Sequence, residues 1–227
     1  EYIIISRDIF GEKPLYRHTE RNNKFVYFSS LAEFNSNNDC NSVIFPSNTI
    51  TKIMLNDQNN ERSIKIFNYN KSIKNQQNEE FQIGFEKILE ASIKKRLDCD
   101  VPIACTLSGG LDSSVIALLA NRYSNGKITF FTSVPDSGES ELTYAKYVTD
   151  SLNKNLEVLE YNTEMYFQKL KDNLEVFPKN IKSPSSIVHL ILMEKIRSKG
   201  YKVCLDGQGA DEYLGGYRFQ TVEWLLS

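Results

Sequence analysis

Two glycine-rich segments contain the residues whose types and spacing could do chemistry. The first reads Ser108-Gly-Gly-Leu-Asp-Ser113, and the second reads Asp206-Gly-Gln-Gly-Ala-Asp-Glu212. Each follows a short apolar run typical of a β-strand, and the first leads into a helical pattern. Glycine lets the backbone turn sharply and approach a ligand closely, and the free N–H groups at a helix start favour an anion. The pattern therefore predicts that the first segment binds a phosphate chain.

Asp112 fits a phosphate site only if a divalent cation is bound as well. Mg²⁺ prefers carboxylate and phosphate oxygens together, while Ser108, Ser113 and Ser114 could add hydroxyl donors. No Lys follows the glycines, so the segment is not a Walker loop. A simple glycine turn with a capping serine is the alternative. The strand before, the helix after and the placement of Asp112 and Ser113 favour the ligand site.

The second segment offers a further carboxylate. Gly207 and Gly209 permit close backbone approach, and Asp211 could bind the same metal as Asp112. The residues alone leave another interpretation open. Asp211 and Glu212 could simply lie in the first turn of a helix, where acidic side chains complement the dipole.

An alternation of strands and helices follows residue 79 and must position both segments. Apolar residues at helical spacing from 81 to 93 predict the first helix. Strands are predicted at 101–107, 127–134, 156–161 and 202–205, with helices at 114–123, 140–152, 163–176 and 185–199. This order predicts an α/β fold, a parallel sheet with helices on both faces. Ligands of such sheets bind beyond the carboxyl ends of the strands, where both segments lie.

The start of the chain has a different character. Residues 1–45 have β character with strands at 2–6 and 24–28, and residues 46–78 read as a linker with short strands near 50–55 and 64–69. We therefore predict domains at 1–45 and 79–227 with a linker at 46–78. The chain opens in a strand-like run at Glu1 and ends in a helical pattern, which is typical of a fragment of a longer protein.

Composition excludes some classes of function. The 227 residues carry a net charge of −2 without a basic stripe, so nothing supports nucleic-acid binding. No apolar run is long enough for a membrane span. The four cysteines lack metal-ligand spacing, and Cys105 and Cys204 lie in apolar runs, which predicts reduced core thiols and a cytoplasmic location. His189 stands among apolar neighbours, which predicts a packed core histidine.

The two segments also resemble known motifs. The first resembles the PP-loop of the ATP pyrophosphatases, Ser-Gly-Gly-x-Asp-Ser, which implies cleavage of ATP to AMP and pyrophosphate. The second is similar to the Ser-Gly-Glu-Gly-x-Asp-Glu-x-x-x-Gly-Tyr segment of the glutamine-dependent asparagine synthetases and the related β-lactam synthetases. Arg7-Asp-Ile-Phe-Gly-Glu-Lys-Pro-Leu-Tyr16 and Phe28-Ser-Ser-Leu-Ala-Glu33 resemble the closing strands of that family's glutaminase domain. Ile44-Phe-Pro-Ser-Asn-Thr-Ile50 resembles its linker, and Pro184-Ser-Ser186 also matches.

The resemblance implies an architecture and a set of site residues. The expected fold is the PP-loop, adenine nucleotide alpha hydrolase-like sheet. It follows a small β remnant of an N-terminal-nucleophile glutaminase (amidotransferase type 2) domain, most of which is absent. Mg²⁺ would be bound by Asp112 and Asp211, and the implied catalytic residues are Asp112, Asp211 and Gln208. The implied ATP site comprises Leu107, Ser108, Gly109, Gly110, Asp112, Ser113, Ser133, Asp206 and Gly207.

The implied reaction is ATP-dependent adenylation of a carboxylate, aspartate in the first hypothesis, followed by amidation with ammonia from glutamine. Gln208 stands where the asparagine synthetases usually have Glu, and Asp206 replaces their usual Ser. The neutral Gln208 favours a second hypothesis, the same chemistry on a sugar or peptide carboxylate. A third hypothesis is a non-catalytic nucleotide-binding remnant, although such a remnant would be expected to lose Asp112 or Asp211.

Two further departures limit what these residues could do alone. None of the four cysteines takes the place of the family's N-terminal glutaminase nucleophile, and the family lysine beyond the Gly-Gly-Tyr segment is absent. The isolated fragment is therefore expected to be inactive. The expected partners are small molecules, a carboxylate with ammonia or glutamine, and the resemblance is compatible with a homodimer of the full-length protein.

Overall fold

The computed structural model describes residues 1–20, 25–28, 42–56, 61–66, 79–136, 141–176 and 183–217. Contacts divide the chain into two compact units. The first comprises Glu1–Asn75 with Leu174–Asn180, and the second comprises Gln76–Asn173 with Ile181–Ser227. The domain limits given by the sequence, at 45 and 78, stay predictions.

The described part of the first unit is built from antiparallel strands. They are β1 (Tyr2–Arg7), β2 (Tyr16–Thr19), β3 (Phe25–Phe28), β4 (Ser42–Ile44), β5 (Thr49–Met54) and β6 (Glu61–Lys65). One sheet has the order β1-β5-β6 and another β3-β2-β4. The strands predicted near 2–6, 24–28 and 50–55 are confirmed. The strand predicted at 64–69 lies earlier, at β6, and residues 67–69 are outside the described ranges.

Arg7 and Asp8 organise the turn after β1. The Arg7 guanidinium donates hydrogen bonds to the carbonyls of Gly11, Lys13 and Phe45. The Asp8 carboxylate accepts the N–H groups of residues 10, 12 and 13. These backbone hydrogen bonds hold the pKa of Asp8 below its ordinary value. The turn inside the Arg7–Tyr16 segment is thus fixed by its own first two residues.

The second unit alternates helices and strands as predicted. Its elements are α1 (Glu79–Leu97), β7 (Ile103–Thr106), α2 (Leu111–Tyr123), β8 (Ile128–Pro135), α3 (Leu142–Ser151), β9 (Leu156–Tyr161), α4 (Thr163–Val176), α5 (Pro184–Ser198), β10 (Val203–Leu205) and α6 (Ala210–Leu214). Every strand and helix predicted after residue 79 is present. α2 begins three residues earlier than predicted, because its N-cap is Gly110. No helix of the described residues combines the length and apolarity needed to cross a membrane.

Four parallel strands form the sheet of this unit, in the order β10-β7-β8-β9. Side chains of β7 point alternately to its two faces. Cys105 packs with Ala117 of α2 and Ala145 of α3. Ala104 packs on the other side with Leu192 and Ile196 of α5. Helices therefore cover both faces, which confirms the predicted α/β class.

Two neighbouring residues of β8 pack into the buried clusters on opposite faces of the sheet. Phe130 belongs to the cluster under α1, α2 and α3, and Phe131 to the cluster under α5. Both rings are almost completely buried. Burial of a side chain of this size stabilises a fold by about 2–3 kcal/mol. The central strands are thus held from both sides, and their carboxyl ends provide a fixed base for the loops that follow them.

Candidate functional site

One cleft opens at the carboxyl ends of β7, β8 and β10. Its volume is ≈ 750 Å³, and residues of the second unit line it. The chain leaves β7 toward β8 on one side, whereas β10 joins β7 from the other side. Such a point of reversal in a parallel sheet creates a crevice where ligands bind. Two loops border it: the first loop, residues 107–110, lies before α2, and the second loop, residues 206–209, lies before α6.

The first loop is held by hydrogen bonds among its own residues. The Ser108 hydroxyl lies 3.0 Å from the Ser113 hydroxyl and accepts the Gly110 N–H at 3.2 Å. Ser113 Oγ in turn donates to the Gly110 carbonyl at 3.1 Å and accepts the Ser108 N–H at 3.3 Å. Because Ser113 is buried and uses its proton inside the loop, it shapes the loop. The predicted role of Ser113 as a hydroxyl donor to a phosphate stays a prediction.

Gly109 is required by its backbone and by its neighbours. Its φ is +86°, and a Cβ there would meet the Tyr144 Cβ at 2.5 Å and the Ala145 nitrogen at 2.7 Å. The loop therefore rests directly on the start of α3. Gly110 has an ordinary φ of −67° and gives α2 no side-chain cap. The first N–H groups of α2 thus remain without a side-chain partner, as an anion site needs.

The second loop touches the first turn of α2 through Gly207. A Cβ on Gly207 would meet the Ser113 nitrogen at 3.0 Å and its Cα at 3.2 Å. The Asp206 carboxylate accepts the Gln208 N–H at 2.8 Å, and Gly209 has a φ of +92°. The close approach explains why glycine occupies position 207. It brings the carboxyl end of β10 against the amino end of α2.

Asp112 and Asp211 occupy equivalent places, each the second residue of the helix after its loop. Both line the cleft. Within the described ranges, neither carboxylate has a hydrogen-bond or ion-pair partner, and no Lys or Arg lines the cleft. A divalent cation fits this donor set, since Mg²⁺ is commonly bound by one or two carboxylates together with substrate phosphates. No group of three or more His, Cys, Asp and Glu residues is arranged for a metal in the described part of the chain.

The predicted site residues come together, with one exception. Gly109 packs against α3 and does not line the cleft. Leu107 is almost fully buried, and its N–H donates to the Phe131 carbonyl, so this backbone donor is already used. The others border the same space: Leu107, Ser108, Gly110, Asp112, Ser113, Ser133, Asp206, Gly207, Gln208 and Asp211.

His189 was placed wrongly by the sequence prediction. Its side chain is 41% exposed, it lines the cleft, and its Nδ1 lies 3.6 Å from the Asp206 carboxylate. The buried face of α5 is made by Ile187, Ile191 and Leu192. Because these residues are buried, Val188 and His189 between them lie at the border of the cleft. Residues 185, 188, 189 and 192 recur at helical spacing and line the cleft, Leu192 from the edge of the buried face, but the sequence alone does not say which side of α5 packs on the sheet.

The cysteines of the two supporting strands are core thiols, as predicted. Cys105 is fully buried and Cys204 is partly buried. Burial raises the pKa of Cys105, and burial with the nearby Asp206 charge raises the pKa of Cys204 to about 11. Both remain protonated near neutral pH, so neither is a nucleophile of the cleft.

Comparisons with known proteins identify the family of the chain. A family model described as asparagine synthase matches residues 84–227. The asparagine synthetase (glutamine-hydrolyzing) of Zea mays is 30% identical over 145 residues, which cover 59% of this chain and 24% of that protein. Amidase chyE of Penicillium rubens is 31% identical over 156 residues, which cover 61% and 23%. The chain thus spans about a quarter of the length of these two relatives.

Among solved structures, U34-tRNA thiolase NcsA from Methanococcus maripaludis aligns with a TM-score of 0.43 and 16% identity. The alignment covers 63% of this chain and 52% of that one. A likeness of this extent carries no information about function. The family match begins at residue 84, so the predicted likeness of residues 1–45 to a glutaminase domain stays a prediction.

Proposed function

The chain belongs to the asparagine synthase family, and from that premise we propose that its cleft binds ATP with Mg²⁺ and activates a carboxylate by adenylation. The observation that supports this most is the pairing of the two loops. Each follows a parallel strand, each precedes a helix with an aspartate at its second position, and Gly207 joins them. A nucleotide between the loops would have its phosphates at the amino end of α2.

Asp112 and Asp211 would hold the metal. When bound, Mg²⁺ neutralises charge on the leaving pyrophosphate. The N–H groups at the start of α2, next to the first loop, would stabilise the negative charge that develops on the leaving pyrophosphate. Because its hydrogen bonds are already formed, the loop needs little reorganisation to bind the phosphates. Leu107 and Ser133 would border the adenine and ribose, and Asp206 and Gly207 would border the nucleotide from β10.

The proposed reaction has two steps. An oxygen of the substrate carboxylate attacks the α-phosphorus, and the bond to pyrophosphate breaks to leave an acyl-adenylate. Ammonia, obtained from glutamine in the full-length protein, then attacks the acyl carbon and displaces AMP, which gives an amide. Aspartate is the first candidate acceptor because of the family. The exposed Gln208 favours a second candidate, another carboxylate, since an amide offers no counter-charge to a substrate ammonium.

Exchange of radiolabelled pyrophosphate into ATP tests the first step. We expect the full-length protein to catalyse exchange with Mg²⁺ and one carboxylate of a panel of amino, sugar and peptide acids, and EDTA to abolish it. Asp112→Asn and Asp211→Asn should each lower the rate about 10²–10³-fold, the range seen when one group that stabilises transition-state charge is lost. A requirement for aspartate would identify asparagine as the product.

Asp150→Asn is the matched control, because Asp150 is an exposed acid of α3 outside the cleft. Its exchange rate should equal that of the unsubstituted protein. Absence of exchange with every carboxylate, despite measurable ATP binding, would contradict the proposal and support a nucleotide-binding remnant. Exchange rates of the Asp112→Asn and Asp211→Asn variants equal to that of the unsubstituted protein would instead contradict the metal assignment.

A further inference from the structure

We infer that His189 and Asp206 form the proton-accepting pair of the amidation step, with His189 as the base and Asp206 as its positioning residue. This inference rests on the proposed function. Its starting point is the place of His189 on α5, at the border of the cleft and beside the second loop. His189 is the only imidazole among the described residues that line the cleft.

The Asp206 carboxylate lies beside one nitrogen of the His189 ring, at an ion-pair distance. Nδ1 of His189 lies 3.6 Å from Asp206 Oδ2, with side-chain exposures of 41% and 26%. The other ring nitrogen, Nε2, has no hydrogen-bond partner within the described ranges. Asp206 is itself fixed, since its Oδ1 accepts the Gln208 N–H. A carboxylate held at one ring nitrogen orients an imidazole and stabilises its protonated form, as in many acid–base sites.

Gln208 makes a separate base necessary. Ammonia brings three protons to the acyl carbon, and the neutral amide keeps two of them. In the step, the nitrogen lone pair forms the C–N bond, one N–H proton passes to His189 Nε2, and the C–O bond to AMP breaks with its electron pair leaving on AMP. The Gln208 amide cannot accept that proton. The Nε2 atom of His189, beside the second loop, is a nitrogen base that can accept it.

The other titratable groups of the cleft are acids and phenols. Asp112 and Asp211 are assigned to the metal, and Glu141 lies at the start of α3. The described titratable side chains that line the cleft beside His189 are Asp112, Glu141, Tyr161, Tyr166, Asp206, Asp211 and Tyr217. Among them, Asp206 is the group that lies within ion-pair distance of the His189 ring. The pair can therefore be tested by substituting each of the two residues.

The test separates adenylation from amidation in the full-length protein. Pyrophosphate exchange measures adenylation. Amidation is measured in a single turnover, in which ammonium is added after ATP and the carboxylate have reacted. His189→Gln should keep exchange within about twofold and slow amide formation about 10²–10⁴-fold, the range for loss of general base catalysis. Asp206→Asn keeps an oxygen for the Gln208 N–H and should slow amide formation about tenfold.

A pH series at constant free ammonia adds a readout that a structural role would not change. The unsubstituted rate should fall on acidification, because a protonated imidazole cannot accept the ammonia proton. His189→Gln should lose this fall, while His18→Gln, the same change in β2, should keep rate and profile. An unchanged rate of amide formation, or an unchanged pH profile, in His189→Gln overturns this inference and leaves the proposed function standing. Absence of exchange in the unsubstituted protein overturns the proposed function, and the inference with it.

Discussion

The two loops of the cleft are built on the same plan but held in different ways. Both link a parallel strand to a helix with an aspartate at its second position. The first loop is closed by the hydroxyls of Ser108 and Ser113, and Gly109 rests on α3. Among the residues that the structure describes, the second loop has one side-chain hydrogen bond, from Gln208 N–H to Asp206, and its Gln208 side chain is exposed. The first loop is thus fixed by hydrogen bonds and packing, whereas the second presents side chains to the cleft.

Under the proposed function, this difference separates a loop that binds phosphates from a loop that selects the carboxylate. A part that binds the same phosphate chain in every turnover benefits from a preformed shape, because no ordering is needed on binding. A part that distinguishes carboxylates depends on which side chains it exposes. The strands that precede the two loops differ in burial in the same direction. Cys105 before the first loop is fully buried, and Cys204 before the second is only partly buried.

The largest expected effect tests whether packing fixes the first loop. Gly109→Ala should destabilise the protein by about 2–5 kcal/mol, since a left-handed alanine costs about 1–2 kcal/mol and overpacking adds about 1–3 kcal/mol. The overlap would be with Tyr144 and Ala145. Gly110→Ala is the matched control: its φ of −67° suits alanine, and its nearest neighbour is the flexible Ser108 hydroxyl at 3.3 Å. Urea unfolding of both variants measures the difference. Equal destabilisation would mean that α3 does not constrain the loop.

A smaller effect is expected where the loops meet. Gly207→Ala places a methyl group against the backbone of Ser113 and should cost about 1–2 kcal/mol. The second loop would have to move away from α2, so pyrophosphate exchange should also weaken. Gly84→Ala serves as control, because nothing lies within 4 Å of its added Cβ in helix α1. That change should be neutral or stabilising by up to about 1 kcal/mol. A Gly207→Ala protein with unchanged stability and exchange would show that the loops are independent.

Much of the second unit could be predicted from the sequence because its strands are short apolar runs between clear breakers. β9 was predicted with its observed limits. The start of α2 was missed because Gly110, its N-cap, has no side chain to cap the helix and glycine is equally typical of a turn. β2 and β4 were missed because three or four residues with few apolar side chains give no periodicity. Their pairing with each other depends on tertiary contacts.

The site was predicted where it lies in glycine-rich segments and missed where it depends on helix packing. Asp112 and Asp211 follow from motifs, and their common cleft follows from the parallel sheet. His189 has apolar neighbours in the sequence, yet the contacts of Ile187, Ile191 and Leu192 decide which way α5 faces. Only the register of α5 on the sheet brings His189 to Asp206. Local sequence holds no signal for that register.

The smallest expected effect concerns the exposed second loop. Gln208→Glu adds a charge that can pair with a substrate ammonium, worth up to about 1 kcal/mol at an exposed position, or about fivefold. Exchange with aspartate should rise severalfold relative to carboxylates that lack an amino group. The free energy of unfolding should stay the same, because Gln208 is exposed and its N–H bond to Asp206 uses the backbone. Gln168→Glu adds the same charge on α4 outside the cleft and should leave the ratio unchanged. An equal change with every carboxylate would show that the second loop does not select the acceptor.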